Sequence, residues 1–345
     1  MTYFLKRLQR LILSTINYRL YRTGLLVTVL VWGGLVVPPP PLAQAQVFNF
    51  LFGGRENRGG RAPNRRKGGG VRAGRLVGGF DITIPVVITP RNTFQPTDQF
   101  PIRWQPVVGV STYTVRLWEW QDANGGRQRV IWETTTPDTT VTYRGEPPLA
   151  PETFYSIEVI TDQGVSSEQD PGCAIAGFAV LFPEMRSQLY TELATLDSPD
   201  LSPEEQALAT AELYLDYQML DAAIATLAPQ FDAQPTATLA LALGDLYSFS
   251  GLNTLAAHHY TQALDLAATD QLWQAIALEG LGELSVLRND LTTALPQLRQ
   301  AQTHYTAANT PLKANQLRQR IALLEHAQRL GLQPSDTSEV CNGNP

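Results

Sequence analysis

Two hydrophobic periods divide the chain. Between residues 81 and 182, apolar side chains alternate with polar ones in short runs: Phe100, Ile102 and Trp104, then Tyr113, Val115 and Leu117, then Thr153, Tyr155, Ile157 and Val159. A period of two in β-branched and aromatic residues predicts strands with one buried face. Further strands are expected over 82–88, 128–133, 139–143 and 174–181, separated by turn residues such as Asp122-Ala123-Asn124-Gly125-Gly126. Seven short strands in about 100 residues predict an all-β sandwich of two sheets.

After Pro183 the apolar spacing changes to three and four residues, which predicts helices. One is expected over 185–196, inside a junction of 183–202. Leu208 to Tyr214 then superposes on Leu241 to Tyr247 at a spacing of 33 residues, and the latter on Leu278 to Ser285 at 38. A recurrence of this length predicts a stacked array of paired helices over 203–331. Pro311 opens a more polar amphipathic helix over 312–330, ending at Gly331, and such a solvated last helix closes an open array.

Particular residues carry two family resemblances. Leu149-Ala150-Pro151-Glu152-Thr153-Phe154-Tyr155 is similar to the L-x-P-x-T-x-Y segment of fibronectin type III domains, and Trp104 and Tyr113 resemble that family's buried tryptophan and tyrosine on neighbouring strands. The resemblance implies an immunoglobulin-like sandwich in which Tyr155 hydrogen-bonds nearby backbone, with an adhesion or spacer role. The helical segments resemble tetratricopeptide repeats. Ala211, Gly244 and Gly282 match the small position where the two helices of a pair cross, Tyr214 and Tyr247 the aromatic position three residues later, and Ala223, Ala256 and Ala294 the small position on the second helix. Leu227, Tyr260 and Leu298 follow on that second helix, and Ala263 and Ala301 continue its face. Ser285 in place of tyrosine, an insertion near 268–271 and Pro296 inside the third second helix depart from the pattern, and Pro296 is expected to kink its helix or shift its start. The fold class expected is therefore multidomain: a fibronectin-III-like sandwich followed by an all-α tetratricopeptide-like array.

Charge changes the picture at the front of the chain. The net charge of −6 hides an arm over 46–80 with eight basic residues against Glu56 alone, +7, on a body over 81–345 that carries −18. The arm is too poor in apolar residues to offset its ordering entropy, so disorder is expected. It is read either as attachment to an anionic wall polymer or membrane surface or as a solubilising tether; nucleic acid is not an expected partner. The residues before it read as an export signal, with Lys6, Arg7, Arg10, Arg19 and Arg22, an apolar run of 14 residues and a cut after Ala45. Export to the periplasm or cell envelope is the expectation, with an uncleaved N-terminal anchor as the rival. Cys173 and Cys341 then lie where disulfides persist; a bridge between them and two free thiols are both open. Residues 332–345 form a tail.

Candidate chemistry is sparse. His258, His259, His304 and His326 fall on helices without metal-ligand spacing, no nucleophile motif occurs, and no cofactor is expected. In arrays of the resembled type the first helix of each pair lines a concave face, which here would present Glu205, Glu212, Asp245, Glu279 and Glu283 to a protein or peptide partner, a basic one above all. On the sandwich, Trp118 and Trp120 face away from Tyr113, Val115 and Leu117 and are candidate surface aromatics. The expected protein is a non-enzymatic envelope scaffold or adaptor. The alternative is a wall-polymer or carbohydrate-binding module using the arm and the two tryptophans.

Overall fold

The computed structural model describes residues 78–120, 127–151, 153–170, 176–196 and 201–331. A β-rich region comes first, with β1 Val87–Thr89, β2 Thr93–Gln95, β3 Gln99–Trp104, β4 Tyr113–Trp120, β5 Arg127–Thr136, β6 Thr140–Arg144, β7 Phe154–Thr161 and β8 Gly177–Val180. They form a three-stranded sheet, β1-β3-β6, and a five-stranded sheet, β2-β8-β7-β4-β5. The expected alternation is present: every second residue of β3 is buried, as are Tyr113, Val115 and Leu117 on β4. Inward side chains of both sheets share one core, in which Trp104 meets Tyr113 edge-on at 5.4 Å between ring centroids and Phe100 meets Phe178 at 4.9 Å. The hydroxyl of Tyr155 accepts the Ala150 N–H at 2.8 Å, the backbone contact the resemblance implied.

Two strands differ from expectation. The first begins only at Val87, because Asp81 accepts both the N–H and the hydroxyl of Thr83 and curls 81–83 into a turn. An eighth strand, β2, is three residues long and pairs in parallel with β8. Three residues carry too little alternation to register as a strand, and their pairing is decided more than 80 residues away.

Eight helices follow among the described residues: α1 Pro183–Leu196, α2 Pro203–Asp216, α3 Leu220–Ala233, α4 Ala237–Ser250, α5 Asn253–Leu266, α6 Gln271–Leu287, α7 Leu291–Ala307 and α8 Pro311–Arg329. Their starts are written in the sequence. Ser202 and Glu205 close a reciprocal capping box on α2, the Thr236 hydroxyl accepts the Leu239 N–H on α4, and Asp270 and Asp290 cap α6 and α7. The turns inside the first three pairs each use one left-handed residue, Gln218, Gly251 and Asn289.

Side-chain size sets the nesting of each pair. Ala211, Ala223, Ala256 and Ala294 are fully buried. A methyl group at Gly244 would stand 2.7 Å from the Tyr260 ring, one at Gly280 would stand 2.7 Å from the same ring, and one at Gly282 would stand 2.6 Å from Leu298. Tyr260 on α5 thus fills a slot between glycines of two successive helices, α4 and α6, and ties one pair to the next. α7 runs unbroken through Pro296, which costs it one interior hydrogen bond without ending it. α8 closes the array with Ala314, Leu317, Ile321 and Leu324 turned inward.

The segment from Gly78 to Gln95 lies along the turns of these helix pairs. At the first, the Phe94 N–H bonds to Gln218 O at 3.0 Å, and Asp221 accepts the Thr89 hydroxyl at 2.6 Å and the Gln95 amide at 3.3 Å. At the second, Arg91 Nε donates to Ser250 O at 2.8 Å, while Asn253 Nδ2 donates to Gly78 O at 2.8 Å and the Thr254 hydroxyl to Gly79 O at 2.6 Å. At the third, the Arg288 guanidinium sits 5.2 Å from the Phe80 ring centre. Asp170, at the end of the short helical turn Ser167–Gln169, accepts the Gly79 N–H with both oxygens and faces Arg91 at 3.8 Å. Burial pushes the Arg91 guanidinium down to about 10 and the Asp221 carboxyl up to about 7, against the opposing pull of their partners.

Candidate functional site

The acidic side chains expected to line one face are set by the same small residues that nest the pairs. Ala211, Gly244 and Gly282 point at a partner helix, so the next residue, rotated by about 100°, emerges beside the contact. Glu212, Asp245 and Glu283 all stand half-buried there on α2, α4 and α6, and α4 also packs against α6. Tyr260, already fixed between Gly244 and Gly280, donates its hydroxyl to Asp245 at 2.5 Å. The contact orients the carboxylate.

The third pair is arranged differently. Glu279 accepts the Tyr305 hydroxyl at 2.5 Å and lies 4.0 Å from Lys313 Nζ. Glu283 receives two bonds from Arg320, at 3.1 and 3.0 Å, in the paired geometry that makes arginine–carboxylate contacts directional. Both cations belong to α8, so the last helix neutralises the acids of α6. Glu205 lies at the start of α2, where the N–H and hydroxyl of Ser202 hold its carboxyl below the usual range. Of the five acids, Glu205 serves as a cap, Glu279 and Glu283 pair with α8, and Asp245 holds the Tyr260 hydroxyl.

Glu212 and Asp245 fall in a long acidic run of the sequence. Residues 187–287 contain 14 Asp and Glu and no Lys or Arg. That run is legible in the sequence, and it marks α2 to α5, with Asp216 at the end of α2, as the acidic part of the array. The α8 pairing had no such signal, because Arg320 is 37 positions from Glu283.

On the five-stranded sheet, Trp118 and Trp120 face outward from the core but stand half-buried. Their indole N–H groups donate to Glu158 at 3.0 Å and Ser156 at 2.9 Å, and Phe154 meets Trp120 edge-on at 5.5 Å while its ring lies over Gly177. His259 stacks on Tyr247 at 5.2 Å; burial and the neighbouring His258 hold its imidazole down at about 4, neutral under ordinary conditions. Among the described residues no group of three or more His, Cys, Asp and Glu could hold a metal ion, and no helix is long and apolar enough to cross a membrane. Ala45, Cys173, Cys341 and the arm up to residue 77 lie outside the described residues. Neither a comparison with models of known protein families nor one with curated proteins finds a match.

Proposed function

We propose that this chain is a non-enzymatic scaffold or adaptor of a bacterial envelope, a fibronectin-III-like sandwich carrying a tetratricopeptide-like array that takes a basic peptide segment on the face of α2 and α4. The observation that carries the reading is the charge distribution over one repeated framework. Glu212 and Asp245 follow the small crossing residues of α2 and α4 in a stretch of 101 residues, 187–287, that contains no lysine or arginine, and Glu283, at the same position on α6, is paired with Arg320 of α8. An acidic strip between helices whose spacing is fixed by buried alanines and glycines is a rigid template for guanidinium groups. Support for a carbohydrate module on Trp118 and Trp120 is weaker, since both indole N–H groups are used within the sheet.

The test is capture of an arginine-rich peptide at low ionic strength by the purified chain. Reversing Glu212 and Asp245 to lysine abolishes capture while leaving the helical circular dichroism unchanged; undiminished capture by the double variant removes the reading.

A further inference from the structure

In a stack of helix pairs each pair touches its neighbours, and stability is close to a sum of pair terms and nearest-neighbour terms, so the pairs can open one at a time. The segment Gly78–Gln95 adds contacts of another kind, because it crosses the turns of all three pairs. At the third turn Phe80 lies against Arg288. At the second, Gly78 O and Gly79 O take bonds from Asn253 and Thr254, Arg91 holds Ser250 O, and Ile84 and Val86 are buried against Leu252. At the first, Thr89 and Gln95 hold Asp221, whose own N–H bonds to the Thr93 hydroxyl at 3.3 Å. The fit leaves no slack: a Cβ at Gly79 would stand 2.5 Å from Gly251 O and 3.1 Å from Asn253 N.

The segment is also fixed at both ends to the sandwich. β1 pairs with β3 in one sheet and β2 with β8 in the other, while Asp170 takes the Gly79 N–H at 3.0 and 2.9 Å. A tie belonging to the array alone could follow its bending, whereas one anchored in a second close-packed core resists it.

We propose that Gly78–Gln95 is a strap that holds the three turns at fixed spacing, so that the sandwich and helices α2–α7 open as one unit and not pair by pair. The strap sets the angle between successive pairs, and it does so whatever the array binds.

Native-state amide exchange in rising urea reads the opening of each element separately. Leu298 is fully buried in the third pair, and Leu298→Ala should speed exchange by about a hundredfold or more wherever its cost is felt. In the strapped chain that factor is expected to be the same in β3, α2, α4 and α6. Acceleration confined to α6–α8, or fading from pair to pair toward α2, overturns the proposal; Leu298→Val gives the same reading at smaller cost if the alanine variant does not fold. A second chain, carrying Phe80→Ala and Thr254→Val, loses the ring contact at the third turn and the hydroxyl bond at the second. In that chain Leu298→Val is expected to speed exchange more in α6–α8 than in α2 and β3. A factor still uniform there assigns the coupling to helix packing and overturns the strap's role.

Discussion

The second and third helix pairs are built alike and charged differently. In each, a glycine on the first helix receives a large side chain from the second, Gly244 under Tyr260 and Gly282 under Leu298, and in each a carboxylate follows that glycine. In the third pair, α8 reaches back with Arg320 and Lys313 and consumes the acids Glu283 and Glu279 in the stability of the array's end. In the second, the hydroxyl of Tyr260 orients Asp245. The lesson is that an acidic residue at a repeated position is not a binding determinant by virtue of its position. What the third pair shows is that α8 supplies Glu283 with a cation.

The largest expected effect comes from the framework the two pairs share. Tyr260→Ala removes a fully buried ring from between Gly244 and Gly280 and should destabilise the array by about 3–5 kcal/mol, read as a lower midpoint in urea unfolding; a loss below about 1 kcal/mol would mean the slot collapses without it. Next comes the seam along the helix turns. Arg91→Met takes the buried cation from beside Asp170 and the donor from the Ser250 carbonyl, and should cost about 2–4 kcal/mol and release Gly78–Phe80 to amide exchange, whereas protection retained there would show that the seam holds without the guanidinium.

Asp221 gives the seam a pH dependence whose sign follows from its carboxyl standing near 7 in the fold and near 3.8 unfolded. Between those values the folded chain binds the extra proton, so this group's contribution to stability falls as pH rises through that window. His259 works oppositely, since its lowered value makes stability rise as pH climbs from about 4 to about 6.5. The difference between the chain and Asp221→Asn isolates the first effect: similar stability near pH 4, with the variant more stable above pH 7. Parallel pH curves would contradict it.

The smallest stability effect sharpens the comparison most. Arg320→Gln removes a half-exposed ion pair and should cost under about 1 kcal/mol, yet it takes away the cation that α8 brings to Glu283. Binding of a basic peptide is then expected to strengthen and to acquire a steeper salt dependence; unchanged binding would place the face elsewhere.

Much of this was legible in the sequence because it is local or periodic. Alternation located the strands β3, β4 and β7, and the spacings of 33 and 38 residues placed Ala211, Gly244 and Gly282 where the helices cross. The seam was not legible: Arg91 with Ser250 and Thr89 with Asp221 are pairings 159 and 132 residues apart, and nothing in either local pattern marks them. The candidate face was legible only in outline. All five acids can be named from the repeat, but the assignment of Glu279 and Glu283 to α8 is a tertiary contact, and Glu205 belongs to the cap that Ser202 and its position three residues later signal.

The central claim, that the acids of α2 and α4 recognise and those of α6 brace, is tested most directly by titrating nona-arginine into the chain with its arm arginines neutralised and into two double variants of it. Glu212→Gln with Asp245→Asn should lose most of the binding, while Glu279→Gln with Glu283→Gln should keep it and lose stability instead. The reverse outcome, or equal loss in both, would contradict the account.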